Sequence, residues 1–225
     1  MIRLAEGTVA NLVPCVPGGV AIPYLEALRT TSLRPIVGKT ETGGGFIADG
    51  IAWETGLPAL VVAITGPGLT NLVTPLACAK HERNPIVVLS AEVPSAVMGR
   101  RAVQDGSDLG LCSATDLTAG VTALSVAVDG PVKALHAVGH ALRVARAQRM
   151  PVHVSIALDA LTSPAPRPPL MRVIGRGSAF DPGAVLEAVD RIDRAQRPAI
   201  LVGRGVRPAG PELVQLAEVL RCPVL

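Results

Sequence analysis

Apolar residues along this chain recur in two rhythms. In the first they form short unbroken runs bounded by Pro or Gly: RPIVGK (34–39), LPALVVAIT (57–65), NPIVVLSAE (84–92) and MPVHVSIAL (150–158). Runs of this length, rich in Val and Ile and free of polar alternation, predict parallel strands buried on both faces. In the second rhythm apolar positions return every three or four residues. Residues 19–29 align Val20, Leu25 and Leu28, residues 69–80 are rich in Leu and Ala, and residues 132–148 align Val132, Leu135, Val138, Leu142 and Ala145. That spacing predicts helices that bury one face. Strand and helix patterns alternate, so the expected class is α/β with a doubly wound parallel sheet.

The pattern breaks at TSPAPRPPL (162–170), whose four prolines read as an extended linker over residues 162–171. Residues 1–161 then form one domain and residues 172–225 the start of a second α/β domain. In the latter, a helix is expected near 181–195, a strand at PAILVG (198–203), a helix near 210–220 and a strand at CPVL (222–225). About fifty residues are too few to close an independent α/β core. The second domain is therefore expected to be incomplete, with the CPVL strand unpaired and prone to association.

Composition narrows the function classes. The chain has 225 residues, 49% of them hydrophobic, which is ample for a large core. The net charge of +3 is spread over isolated Arg residues, and one Trp, one Tyr and two Phe provide no stacking platform for nucleic acid. Cys15, Cys78, Cys112 and Cys222 lie far apart, without a C-x-x-C pair or a His at ligand spacing, so neither a metal site nor a disulfide framework is expected. No basic-then-apolar leader and no run of membrane-spanning length occur, and a cytoplasmic, reduced protein without membrane contact is the expectation.

Among only 17% charged residues, Glu41 stands out. It falls between an apolar strand and a helix start padded by Gly43, Gly44 and Gly45, and is either an acid favoured by a helix N-terminus or a chemical group. Gly66-Pro67-Gly68 ends one strand and enters a helix at Thr70-Asn71. Its free N–H groups can receive a polar ligand, or the stretch is an ordinary turn capped by Thr or Asn. Gly18-Gly19 makes another turn before a helix. GRGVRPAG (203–210) does not fit G-x-G-x-x-G, and no phosphate-loop motif occurs. His136 and His140 form at most half a metal site and read as surface or packing residues. His81 reads as a solvated helix-end charge, Trp53 as a packing residue and Cys78 as buried and inert.

Taken together, these stretches resemble a known family. Residues 12–160 resemble the pyrimidine-binding domain of thiamine diphosphate enzymes of the acetolactate synthase, pyruvate oxidase and 2-oxoacid decarboxylase type. VPGGVAIPYLEAL is similar to that family's opening loop and helix, KTETGGGFIADGIAWETG to the segment around its cofactor-activating glutamate, ITGPGLTN to its Gly-Pro-Gly turn, and RRAVQDGSDLG to its Phe-Gln-Glu segment. Order and spacing agree as well. Residues 172–225, with RAQRPAILVGRGV, resemble the start of the family's central domain.

The resemblance implies that Glu41 hydrogen-bonds N1′ of the aminopyrimidine and so promotes loss of the thiazolium C2 proton. A carboxylate with that task is expected out of water, where desolvation favours its protonated form. The three glycines beside it are then expected to admit a cofactor or a partner subunit to the backbone. The resemblance places Gly18, Gly19, Glu41, Gly66, Pro67, Gly68 and Asn71 at the cofactor, and Thr40, Val103 and Gln104 toward the substrate. Two departures bear on substrate choice. Thr40 stands where many members have His, and Val103-Gln104-Asp105 stands where Phe-Gln-Glu is usual.

The family's diphosphate-binding domain, with its Gly-Asp-Gly start and downstream Asn, has no counterpart in this sequence. Gln104–Gly110 offers Asp-Gly-Ser, but belongs to the Phe-Gln-Glu segment. Thiamine diphosphate is therefore expected to be shared with another chain or domain that binds Mg²⁺ and the diphosphate, in a homo- or hetero-oligomer. Three readings follow: the pyrimidine-binding part of a 2-oxoacid carboligase or decarboxylase, inactive alone; a non-catalytic partner or regulatory chain of such an enzyme; or an unrelated nucleotide-binding module. Glu41 disfavours the second, because a silent copy has no physical need for an acid there. The missing phosphate-loop and dinucleotide motifs disfavour the third.

Overall fold

The computed structural model describes residues 1–107, 113–164 and 181–225. Two compact units are found, Met1–Gly175 and Arg176–Leu225. Most of the expected linker, from residue 165 onward, lies outside the described residues, as do Cys112 and residues 108–110 at the end of the Gln104–Gly110 stretch.

The first unit is built on six strands: β1 (Leu12–Cys15), β2 (Arg34–Val37), β3 (Ala59–Ile64), β4 (Ile86–Glu92), β5 (Leu124–Val128) and β6 (Val152–Ala157). They form one sheet in the order β2-β1-β3-β4-β6-β5. All neighbours are parallel. Successive residues of β3 serve opposite faces. Leu60 and Val62 pack with Tyr24 and Leu28 of α2 (Ile22–Leu28) and Val138 and Leu142 of α6 (Pro131–Gln148). Val61 and Ala63 pack with Ala48 and Ala52 of α3 (Glu41–Thr55), Leu69, Leu72 and Leu76 of α4 (Pro67–Glu82), and Ala114 of α5 (Ala114–Ala119). Both faces are covered, which is the doubly wound α/β architecture expected.

The sheet departs from the sequence reading in places. β1 and β5 were not anticipated. β1 is four residues long and contains Pro14, but only Cys15 registers with β3, whereas all four residues register with β2. A residue without an N–H is compatible with that one-sided ladder. β2, read as a buried strand, is largely exposed, with Val37 at 66%, because it forms the edge of the sheet.

In the sheet interior, His153 meets the Ser90 hydroxyl at 2.8 Å through Nε2, and those of Thr118 and Ser125 at 2.9 and 3.1 Å through Nδ1. Complete burial lowers its pKa to about 3 and keeps the ring neutral.

Of the small unit, residues 181–225 are described and none of them is buried. α8 (Pro182–Asp193) is capped by Asp181, whose carboxylate accepts from the Gly183 and Ala184 amides. α9 spans Gly210–Leu220. The strand expected at 198–203 is reduced to a single parallel bridge from Ile200 to Val224. The same bridge corrects the expectation for CPVL: the Ile200 amide donates to Pro223 O and the Leu225 amide to Ile200 O, so the segment is paired.

Candidate active site

β1 leads into α2 on one face of the sheet and β3 into α4 on the other. Where two adjacent parallel strands part in this way, a crevice opens beyond their C-terminal ends. The loop after β1 carries Gly18, the turn after β3 carries Gly66 and runs into Pro67-Gly68 at the start of α4, and Glu41 opens the neighbouring α3.

Thr40 caps α3, its hydroxyl accepting from the Gly43 amide at 3.1 Å. This leaves Glu41 in the first turn. Asn71 of α4 donates through Nδ2 to Glu41 Oε2 at 3.0 Å, and the Thr42 hydroxyl donates to the Asn71 carbonyl at 2.7 Å. The two helix starts are thereby tied together. Oε1 of Glu41 lies against Gly68: a Cβ added there would stand 3.2 Å from Oε1 and 2.8 Å from Ile64 Cγ1. A Cβ on Gly18 would meet the same isoleucine at 2.9 Å. Gly66, at φ +69°, adopts a left-handed backbone that favours glycine, and its Cα side faces Gln104, whose Cα would be 3.4 Å from an added Cβ.

The structure thus brings Glu41, Asn71, Gly68, Gly18, Gly66 and Gln104 to one crevice. Pro67 is the exposed first residue of α4, and Gly19 has open space around it. Val103 is 86% exposed and packs on nothing in the crevice. The Thr40 hydroxyl is engaged as a helix cap.

Several expectations are corrected. Glu41 is partly open to solvent among the described residues. Of the glycines beside it, Gly45 serves internal packing, since an added Cβ would overlap Pro75 and Leu72 of α4, and Gly44 is buried against Pro14. Cys78 is exposed on α4, and Trp53 is 36% exposed on α3. His81, His136 and His140 are exposed, in keeping with the solvated and surface roles expected of them. Among the described residues, no three His, Cys, Asp or Glu side chains gather where they could hold a metal ion.

One residue of this region escaped the sequence reading. Glu92, the last residue of β4, is 3% exposed. Its Oε1 accepts from the amides of Val93 at 2.8 Å and Gly106 at 3.1 Å, while Oε2 has no hydrogen-bond partner. Burial pushes its carboxyl above the ordinary value, against the pull of those two amides. The available signal was an acid inside a largely apolar run, VVLSAEVP. Asp105 is held below the ordinary carboxylate range: burial, which would raise it, is outweighed by the Ser107 hydroxyl and amide and the Gly99 amide.

The fold is a doubly wound α/β domain whose candidate residues gather at diverging strand ends. Residues 3–111 match the family described as "Thiamine pyrophosphate enzyme, N-terminal TPP binding domain". The large subunit of acetolactate synthase isozyme 1 from Escherichia coli is 30% identical over 99% of this chain, which spans 39% of that protein. The acetolactate synthase large subunit of Corynebacterium glutamicum is 32% identical over the whole chain and 36% of its own length. A thiamine diphosphate-dependent 4-hydroxybenzoylformate decarboxylase from Rhodococcus jostii RHA1 shares the fold, with a TM-score of 0.87 at 23% identity over 99% of this chain and 42% of that one. The chain belongs to the thiamine diphosphate-dependent enzyme family of acetolactate synthases and 2-oxoacid decarboxylases. It spans about two fifths of the length of the relatives it matches.

Proposed function

We propose that this chain is the pyrimidine-binding part of a thiamine diphosphate-dependent enzyme acting on 2-oxoacids, by carboligation of the acetolactate synthase kind or by decarboxylation. Glu41 is the acid that meets N1′ of the aminopyrimidine. The observation that carries this reading is the asymmetry of its carboxyl group: Asn71 donates to Oε2, while Oε1 faces Gly68.

Gly18 and Gly68 both close on the Ile64 side chain, which an added Cβ would meet at 2.9 and 2.8 Å, while Glu41 stands beside Gly68 and Gln104 beside Gly66. Thiamine diphosphate, when bound, supplies a carbon acid at thiazolium C2 that can add to the carbonyl of a 2-oxoacid. This chain's contribution is to hold one proton. With a donor amide on Oε2, that oxygen serves as acceptor, and Oε1 is the oxygen that would share a proton with the ring nitrogen. Asn71 fixes the rotation of the carboxyl, and the Thr42–Asn71 bond fixes Asn71.

Two further elements are assigned to another chain or domain. Mg²⁺ and the diphosphate belong there, since the described residues gather no metal ligands. The water exclusion that Glu41 needs belongs there too. Phe46 (44% exposed), Ile47 (41%) and Trp53 on α3 leave an apolar surface on which a partner would close over the helix start. Residues 172–225 are proposed as the opening of the family's central domain.

Calorimetric titration tests the reading. The chain alone should take up thiamine diphosphate weakly or not at all. With the complementary diphosphate-binding chain or domain added, Mg²⁺-dependent binding and 2-oxoacid turnover should appear. Tight, Mg²⁺-dependent binding to the chain alone would contradict this division of labour.

A further inference from the structure

Gln104 reaches the crevice from a segment that has no regular secondary structure, and its backbone sits at φ +67°, a sparsely populated region for a residue with a side chain. Such a conformation persists only where the surroundings over-determine it. Three contacts do so here. One oxygen of the buried Glu92 carboxyl accepts from both the Val93 amide, at the end of β4, and the Gly106 amide, two residues beyond Gln104. The Thr65 hydroxyl, at the end of β3, is directed at two carbonyls, that of Ala91 at 2.9 Å and that of Gln104 itself at 3.2 Å. Gly106 is pressed between the same two side chains: a Cβ there would lie 3.0 Å from Glu92 Oε2 and 3.0 Å from Thr65 Cβ.

We infer that Glu92, Thr65 and Gly106 form a clasp that sets Gln104 against the Gly66 turn, with Glu92 acting as a positioning residue for the substrate side of the crevice. The functional half of this inference rests on the reading of the crevice as a cofactor site. The clasp itself does not. Glu92 works through an acceptor oxygen, so a glutamine in its place keeps the clasp, whereas a leucine removes it. Gly106→Ala opens the same clasp from the other side while leaving the acid in place.

Amide hydrogen exchange on the full chain separates these cases. Glu92→Leu and Gly106→Ala should each speed exchange of Gly106 and its neighbours in 104–107 by about tenfold or more, with β3 and β6 unchanged, and Glu92→Gln should stay within about twofold of the parent. Unchanged exchange in Leu and Ala, or a Gln variant as open as the Leu variant, would overturn the clasp. Should Glu92→Leu unfold the sheet, Gly106→Ala decides by the same measurement.

In the assembled enzyme, Gly106→Ala should raise KM for the 2-oxoacid about tenfold while changing kcat by less than about threefold, and Glu92→Gln should restore the parent ratio. An opened segment with an unchanged KM would overturn the positioning role and leave Glu41 untouched. Turnover independent of Glu41 would overturn the reading of the crevice and leave the exchange result standing.

Discussion

The Asn71 side-chain amide donates to Glu41 Oε2 across 3.0 Å, joining the N-terminal ends of two helices that begin 26 positions apart in sequence, at Glu41 and Pro67. The bond makes the two carboxyl oxygens unequal, and that inequality is what a proton-sharing acid requires. Replacing Asn71 with Leu should lower turnover of the assembled enzyme by about tenfold or more, because a freely rotating carboxyl spends less time aimed at its partner. Thermal stability should fall by less than about 1 kcal/mol, since the bond is exposed. Full activity in the Leu variant would show that Asn71 does not orient the acid.

Gly68→Ala probes the other oxygen. The new methyl group would be forced against Ile64 and Glu41 Oε1. The variant should lose about 1–3 kcal/mol of stability by overpacking and should bind cofactor at least about tenfold more weakly. Chemical denaturation and titration together check this, and a variant that matches the parent in both would place the close contact elsewhere.

Gly45→Ala separates packing from chemistry. Its Cβ would overlap Pro75 and Leu72, so α3 and α4 would have to move apart at a cost of about 1–3 kcal/mol. Denaturant unfolding should show that loss, and an unaltered midpoint would mean that the interface accommodates the methyl group without strain.

His153 gives the fold an acid sensitivity. Its folded pKa, lowered to about 3, lies below the ordinary 6.5, so the unfolded chain takes up the proton first. The stabilisation from keeping the ring neutral is complete above 6.5 and is lost as pH falls from there toward 3, at about 1.4 kcal/mol per pH unit. Between pH 7 and 5 that amounts to about 2 kcal/mol. In His153→Gln this slope should vanish, while contributions common to both proteins cancel, including that of Glu92, whose raised pKa acts in the opposite sense. Parallel pH–stability curves for the two proteins would refute the assignment.

Which parts of the molecule were legible follows from how each residue is used. β3 and β4 could be read directly, because burial on both faces demands an uninterrupted apolar run, and VVAI and IVVL supply one. β5 could not, because LSVAV forms the other edge of the sheet, where partial exposure admits the mixed pattern observed. β2 was legible as a strand but not as an edge, since local sequence carries no record of which neighbours a strand acquires. Glu41, Gly68 and Asn71 were each visible as candidates, but their meeting depends on two helix starts converging across the strand order. Glu92 and His153 were concealed for a common reason. A polar residue within a mostly apolar run shows its partners only once distant amides and hydroxyls have been brought to it.

The most direct test of the account is the exchange rate of the C2 proton of thiamine diphosphate bound to the assembled enzyme, compared between the parent and Glu41→Gln. Gln preserves the size of the side chain and can still accept from Asn71 through its carbonyl oxygen, but it presents an amide where a carboxyl proton should be. Folding and assembly should therefore be nearly intact, while C2–H exchange slows by about a hundredfold or more. Exchange at the parental rate, with cofactor bound, would contradict the role of Glu41.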